Sequence, residues 1–248
     1  MNCIVGSFVD HQRLNTFPNH TAILVFSRYA EEEAAAKKYN KMLRQRGGSL
    51  LASQLINHTL REAYQTGLPV IRFFSEKQKG QSFGERLLHA VEESFMAGFD
   101  RLIVCGTDTP GLSSRHFLSV AESLHRHDIV LGPSADGGVY LIGLTKASFI
   151  KNLFASISWL TPSVFSQLCG AAKQASLVYC VESVEHDVDS PTAIAEWGST
   201  ATLHWFSRLV KMLFAAIGKS GFFSSIPVFC SSFYTGLFKH RGPPIFSI

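Results

Sequence analysis

Four aspartates stand where apolar runs stop. Asp108 lies in Gly106-Thr107-Asp108-Thr109-Pro110, directly after Leu102-Ile103-Val104-Cys105. Asp136 precedes Gly137-Gly138 between two apolar stretches, and Asp187 and Asp189 sit in "HDVDSP". Hard carboxylate oxygens in such places suit Mg²⁺ or Mn²⁺, which keep coordination positions for water and phosphate. A single carboxylate can also take the proton of an attacking hydroxyl. Asp187 and Asp189 alternate, so on an extended segment they share a face. Each motif has a plainer reading as well. Asp-Thr-Pro is a turn. Asp-Gly-Gly is a hairpin or crossover turn. Asp189 or Ser190 can cap the helix that Ser190-Pro191 opens. A fourth stretch, "KGQSFGERLLHA" (79–90), leads into a helix whose free N–H groups suit a phosphate or a base edge.

The elements that must position these residues follow from periodicity. Short apolar, β-rich runs predict strands at 21–27, 68–75, 101–105, 128–132, 138–144 and 177–183. Amphipathic stretches predict helices at 30–46, 50–66, 82–97, 113–126, 146–154 and 161–175. Gly47-Gly48 separates the first two. Ser82 with Glu85 three residues on has capping-box spacing. Alternation of strands and helices predicts an α/β domain with a mostly parallel sheet and helices on both faces. Ligands bind outside the carboxyl ends of the strands in such sheets, which is where Asp108 and the Asp187/Asp189 pair fall.

Composition narrows the class. The chain has 248 residues, 46% hydrophobic and 17% charged, which is globular and long enough for one substantial core. A net charge of +4 with no Lys/Arg block argues against nucleic acid as a partner. The five cysteines are scattered with no Cys-x-x-Cys pair, so a reduced, cytoplasmic setting is expected. The expected organisation is an N-terminal extension (1–20), one domain (21–198) and a hydrophobic Phe/Ser-rich extension (199–248). Within the last, Trp205, Phe206, Leu209, Leu213 and Phe214, with Lys211, form an amphipathic helix that offers a peripheral membrane or partner contact. The uncharged run between Lys219 and Lys239 is too rich in Ser, Gly and Pro to make a good spanning helix.

In their order along the chain, "AILVFSR" (22–28), "QSFGERLLHA" (81–90), "GTDTPGL" (106–112), "VLGPSADGGVYLIGL" (130–144), "SWLTPSVF" (158–165) and "DVDSP" (187–191) resemble the DUF2064 family. Its members are similar to GT-A glycosyltransferases and to the wider nucleotide-diphospho-sugar transferase superfamily. The resemblance covers residues 21–197. It implies a Rossmann-like GT-A domain that passes a sugar from a nucleotide-diphospho-sugar donor to an acceptor. It also implies Mg²⁺ or Mn²⁺ at Asp108, the remaining carboxylate of a DxD-type motif whose other positions are Gly106 and Thr107. Asp187 or Asp189 is implied as the second metal ligand. Arg28, Gln81, Gly84, Arg86, Gly106, Thr107, Gly137 and Gly138 are the implied nucleotide- and sugar-binding positions, and Asp136 the expected base. A nucleotidyltransferase and a non-catalytic binding or scaffold domain remain alternatives on the same fold. One stretch departs from the family pattern. A Pro-Gly-x-x-Lys-Thr-Arg-Leu loop is usual after the first strand, and here it is "RYAEEEAAAKKYN" (28–40). Arg28, Lys37 and Lys38 are its cations, and Glu31, Glu32 and Glu33 would repel a diphosphate.

Overall fold

In the computed structural model, residues 21–190, 193–194 and 203–218 are described. Among these residues, six strands form one sheet: β1 (Thr21–Phe26), β2 (Val70–Phe73), β3 (Arg101–Cys105), β4 (Ile129–Pro133), β5 (Val139–Thr145) and β6 (Tyr179–Val181). Their order is β2-β1-β3-β5-β4-β6. β1 pairs in parallel with β2 and β3, and β4 with β6, while β5 runs antiparallel to both β3 and β4. The sheet is therefore mostly parallel, as expected. The direction of β5 follows from chain length, because the five residues 134–138 are enough for a hairpin and too few for a crossover.

The helices are α1 (Ala30–Ala36), α2 (Tyr39–Gln65), α3 (Phe83–Met96), α4 (Ser114–Ser123), α5 (Lys151–Ala155), α6 (Val164–Gln174) and α7 (His204–Gly218). β1 is buried along its whole length, and its side chains divide by the two-residue period. Ala22, Leu24 and Phe26 join Leu87, Val91 and Phe95 of α3 and Leu168 of α6. Ile23 and Val25 join Ile56 and Leu60 of α2 and Phe117 and Val120 of α4 on the opposite face. Burying each such aliphatic or aromatic side chain contributes about 1.5–3 kcal/mol before the entropy of ordering it. A third cluster lies beyond the sheet, where Ala34, Tyr39, Leu43 and Leu51 meet Val188, Ile194, Phe206, Val210 and Leu213.

Two expectations are corrected. Gly47-Gly48 does not separate the first two helices, for both glycines lie inside α2. The chain turns instead at Lys37–Lys38, with Lys38 left-handed at φ 59°, and kinks at Arg44, φ 57°. Gly48 is where α2 passes the Tyr39–Asn40 backbone, and a Cβ there would lie only 2.9 Å from the Asn40 nitrogen. The apolar face of α7 is also not a free surface. Phe206, Leu209 and Leu213 are buried against α2, and Trp205 stacks on His58 at 4.4 Å. Phe214 stays partly exposed. No helix among the described residues is long and apolar enough to cross a membrane. The expected 1–20 extension and the 219–239 run lie outside the described residues.

Capping matched the sequence more closely. Ser82 caps α3 with its Oγ accepting from Glu85 N–H at 3.1 Å, while Glu85 accepts from Ser82 N–H at 3.2 Å. Ser190 Oγ accepts from Ala193 N–H at 3.2 Å, as a helix opening there requires. Gly170 sits inside α6 with nothing within 4 Å of where its Cβ would be. Gly170→Ala is expected to raise stability by about 0.5–1 kcal/mol, because alanine restricts the unfolded chain more. Urea denaturation checks it, and an unchanged or lower midpoint would refute it.

Candidate functional site

The carboxyl ends of β1 and β3 lie side by side, tied by a 3.0 Å hydrogen bond between the hydroxyls of Ser27 and Thr107. The segment after β6 comes back across them. Glu185 N–H donates to Pro133 O at 3.1 Å, Ala135 N–H donates to Glu185 O at 2.9 Å, and Val188 N–H donates to Asp108 O at 2.7 Å. The β4–β5 turn closes a further side. The result is a cleft of about 560 Å³ at the sheet's carboxyl edge.

Most of the residues read from the sequence converge there. Arg28, Arg86, Gly106, Thr107, Asp108, Asp136, Gly138, Asp187 and Asp189 all line the cleft. Three do not, and each has a local role. Gly84 abuts Trp159, whose indole occupies the space a Cβ would need. Gly137 takes φ 90° with its α-carbon under the Pro162 carbonyl. Gln81 N–H donates to Glu85 Oε2 at 2.6 Å, so the capping carboxylate fills the place a phosphate or base edge would take at this helix start. Arg86 Nη1 donates to the Gln81 carbonyl at 3.2 Å.

Several lining residues were not picked out from the sequence. Phe83, Tyr140 and Trp159 supply aromatic surface. Trp159 lay inside a quoted motif, and a Trp just before a Leu-Thr-Pro turn was a usable signal. Gln78 donates through Nε2 to the Ser27 carbonyl at 2.7 Å and the Phe73 carbonyl at 3.3 Å. Nothing in the local pattern marked it.

Charge is concentrated at one end. Lys37 Nζ donates to Asp108 Oδ2 in an ion pair, and Arg28 Nη1 pairs with Glu33 Oε2 at 3.1 Å. Thr109 Oγ1 donates to Asp187 Oδ1. Burial, then the neighbouring Asp108, pushes Asp187 up from 3.8 to about 7. Burial and Asp108 likewise push Glu33 up, while Lys37 and Arg28 pull it back. Lys37 is itself driven up, its burial outweighed by the carboxylates of Asp108, Glu33 and Asp187. Asp136 is held by its own turn, with Gly138 N–H donating to Oδ1 at 2.9 Å.

The expected Mg²⁺ or Mn²⁺ can be tested against these contacts. A divalent ion at Asp108 needs that carboxylate free, together with further oxygen donors. Asp108 carries the Lys37 ammonium instead. Among the described residues, no three His, Cys, Asp or Glu side chains come together as a metal cage. With the Lys37 ammonium on its Oδ2, Asp108 does not offer the free carboxylate that a divalent ion requires.

Residues 49–161 match the family model described as "Uncharacterized protein conserved in bacteria (DUF2064)". Among solved structures, the chain is similar to a candidate nucleotide-diphospho-sugar transferase from Desulfovibrio desulfuricans G20. Identity is 22% and the TM-score 0.71, covering 81% of this chain and 97% of that one. It is more distantly similar to Rv0371c from Mycobacterium tuberculosis H37Rv, at 11% identity and TM-score 0.45, covering 78% and 98%. The manganese complex of that protein aligns at 12% and TM-score 0.42, covering 71% and 96%. No curated protein matches this chain. The first similarity shows a shared fold.

Proposed function

We propose that this DUF2064-matching chain binds a nucleoside diphosphate-sugar in the cleft and passes the sugar to an acceptor hydroxyl. One observation carries the reading. The cleft at the strand ends combines three cations, Arg28, Lys37 and Arg86, with carboxylates and an aromatic wall. The cations suit a diphosphate, and Phe83, Tyr140 and Trp159 suit a flat base or the apolar face of a sugar. Asp136, oriented by Gly138 N–H, is assigned the base. It would take the acceptor's proton as the new bond to the sugar's anomeric carbon forms. In the same step the bond from that carbon to the phosphate oxygen breaks, and the nucleoside diphosphate leaves.

Glu33 separates the alternatives. It is 9% exposed, it lines the cleft, and its charge opposes further phosphate. This disfavours nucleotidyl transfer, which needs a triphosphate. It also supports a second reading, in which the cleft holds a polar ligand and does no chemistry.

Calorimetric titration of UDP, GDP and their sugars into the purified chain tests the proposal. Micromolar binding is expected, with Arg86→Ala weakening it by about tenfold or more. A folded protein that takes up none of these ligands would move the second reading to the front.

A further inference from the structure

We infer that Lys37 is the cleft's resident cation: its tethered ammonium holds the position beside Asp108 that a divalent ion takes in a diphosphate site, so that ligand phosphates meet a lysine and no metal. The phosphate half of this inference rests on the nucleotide-sugar reading above. The cation half does not.

The position is built. Lys37 follows the last residue of α1, where its backbone N–H donates to the Glu33 carbonyl at 2.9 Å and its positive charge suits the negative end of the helix. The next residue, Lys38, turns left-handed, and Tyr39 donates its hydroxyl to the Val188 carbonyl, pinning the corner to the segment that carries Asp187 and Asp189. Tyr39 is fully buried. The corner therefore fixes where the Lys37 side chain starts, and that side chain is only 24% exposed. Three carboxylates act on its ammonium, from Asp108, Glu33 and Asp187. Arg28 faces the same group through Glu33.

The competition then favours lysine. A free ion must displace a cation whose effective concentration, set by a short tether, is on the order of millimolar or more. The same ammonium already serves the Asp108, Glu33 and Asp187 carboxylates that an ion would have to take over. Lys37 also lines the cleft, so the ammonium that neutralises Asp108 lies where a ligand's phosphates would enter.

The experiment uses the full chain and Mn²⁺ alone, followed by the paramagnetic resonance signal of the free ion. Wild type is expected to leave the signal unchanged. Lys37→Met is expected to bind about one ion per chain, and the double variant with Asp108→Asn to lose it. Lys37→Gln provides a second neutral variant if the methionine chain folds poorly. Binding of Mn²⁺ by wild type that disappears in Asp108→Asn would overturn the inference. So would silence from both folded Lys37 variants, because the position would then not be a cation position. In a parallel arm, UDP and GDP are titrated with EDTA and then with Mn²⁺. Wild-type affinity is expected to agree within about threefold, and Lys37→Met to bind at least tenfold more weakly in EDTA. A tenfold gain from Mn²⁺ in wild type would overturn the phosphate half. If wild type binds no nucleotide in either buffer, the nucleotide-sugar reading fails together with the phosphate half, and the Mn²⁺ signal still decides the cation half.

Discussion

Asp187→Asn is expected to melt like the wild type near pH 4.5 and roughly 5 °C higher at pH 8. The sign follows from the carboxyl's surroundings. Burial and the adjacent Asp108 raise the folded-state value of Asp187 from 3.8 to about 7. The folded chain thus holds this proton more tightly than the unfolded chain does. Native stability is highest below the unfolded value, falls as pH rises between about 4 and 7, and levels off above that. A gap of this size corresponds to a few kcal/mol at most, and to about 2 kcal/mol once the water reaching a half-buried carboxyl is allowed for. For a chain of this length, each kcal/mol moves the midpoint by about 2–4 °C. Asparagine keeps the acceptor for Thr109 and removes the charge, so its melting curve lacks this dependence. Parallel pH profiles for the two proteins would sink the prediction and, with it, the claim that Asp108 and Asp187 oppose each other.

Gly137→Val is expected to cost about 3 kcal/mol or more, lower the melting temperature by roughly 10 °C and abolish ligand uptake. Gly137 has φ 90°, a region that β-branched residues avoid, and any Cβ there would run into the Pro162 carbonyl. Backbone bonds fix both sides of the residue. Gly137 N–H donates to Ser134 O at 3.0 Å, and Phe165 N–H donates to Gly137 O at 3.1 Å. The turn therefore cannot yield without moving the loop that carries Trp159 and Thr161 into the cleft. Gly138→Ala is the comparison. Its added Cβ would meet Asp136 Oδ1 at 3.1 Å and Ser134 Oγ at 3.2 Å, both side-chain atoms that can give. Thermal melts of the two variants decide the matter, and a Gly137→Val chain within 2 °C of wild type would refute it.

The framework was legible because its determinants are local. The run 101–105 reads as a buried strand from its own residues, and β3 is Arg101–Cys105. Ser82 and Glu85 announce a helix start at three-residue spacing and provide it. The aspartates at the strand ends follow from where the runs stop, and Asp108, Asp136, Asp187 and Asp189 all reach one cleft. What escaped depends on partners distant in sequence. Lys37 meets Asp108 across 71 positions, and Tyr39 meets Val188 across 149. No window of ten or fifteen residues contains those pairs, so an alanine-rich stretch reads as one continuous helix where the chain in fact turns. Gly47-Gly48 misled for a related reason. Glycine weakens a helix by about 1 kcal/mol, and packing against a neighbouring turn outweighs that.

The third cluster has a consequence for how the chain comes together in time. The corner that carries Lys37 rests on Ala34, Tyr39 and Leu43, and these are covered by Phe206, Val210 and Leu213. Every strand among the described residues precedes residue 182. During synthesis from the amino end, both faces of the sheet can therefore pack while α7 is still unmade, because domains settle as their segments emerge. Among the described residues, the charged corner is the last part to be seated. A nick just ahead of residue 203 would leave the sheet's two cores with all their described partners and take away the floor beneath the lysine, so a nascent or clipped chain would hold a packed sheet with an unseated cleft corner.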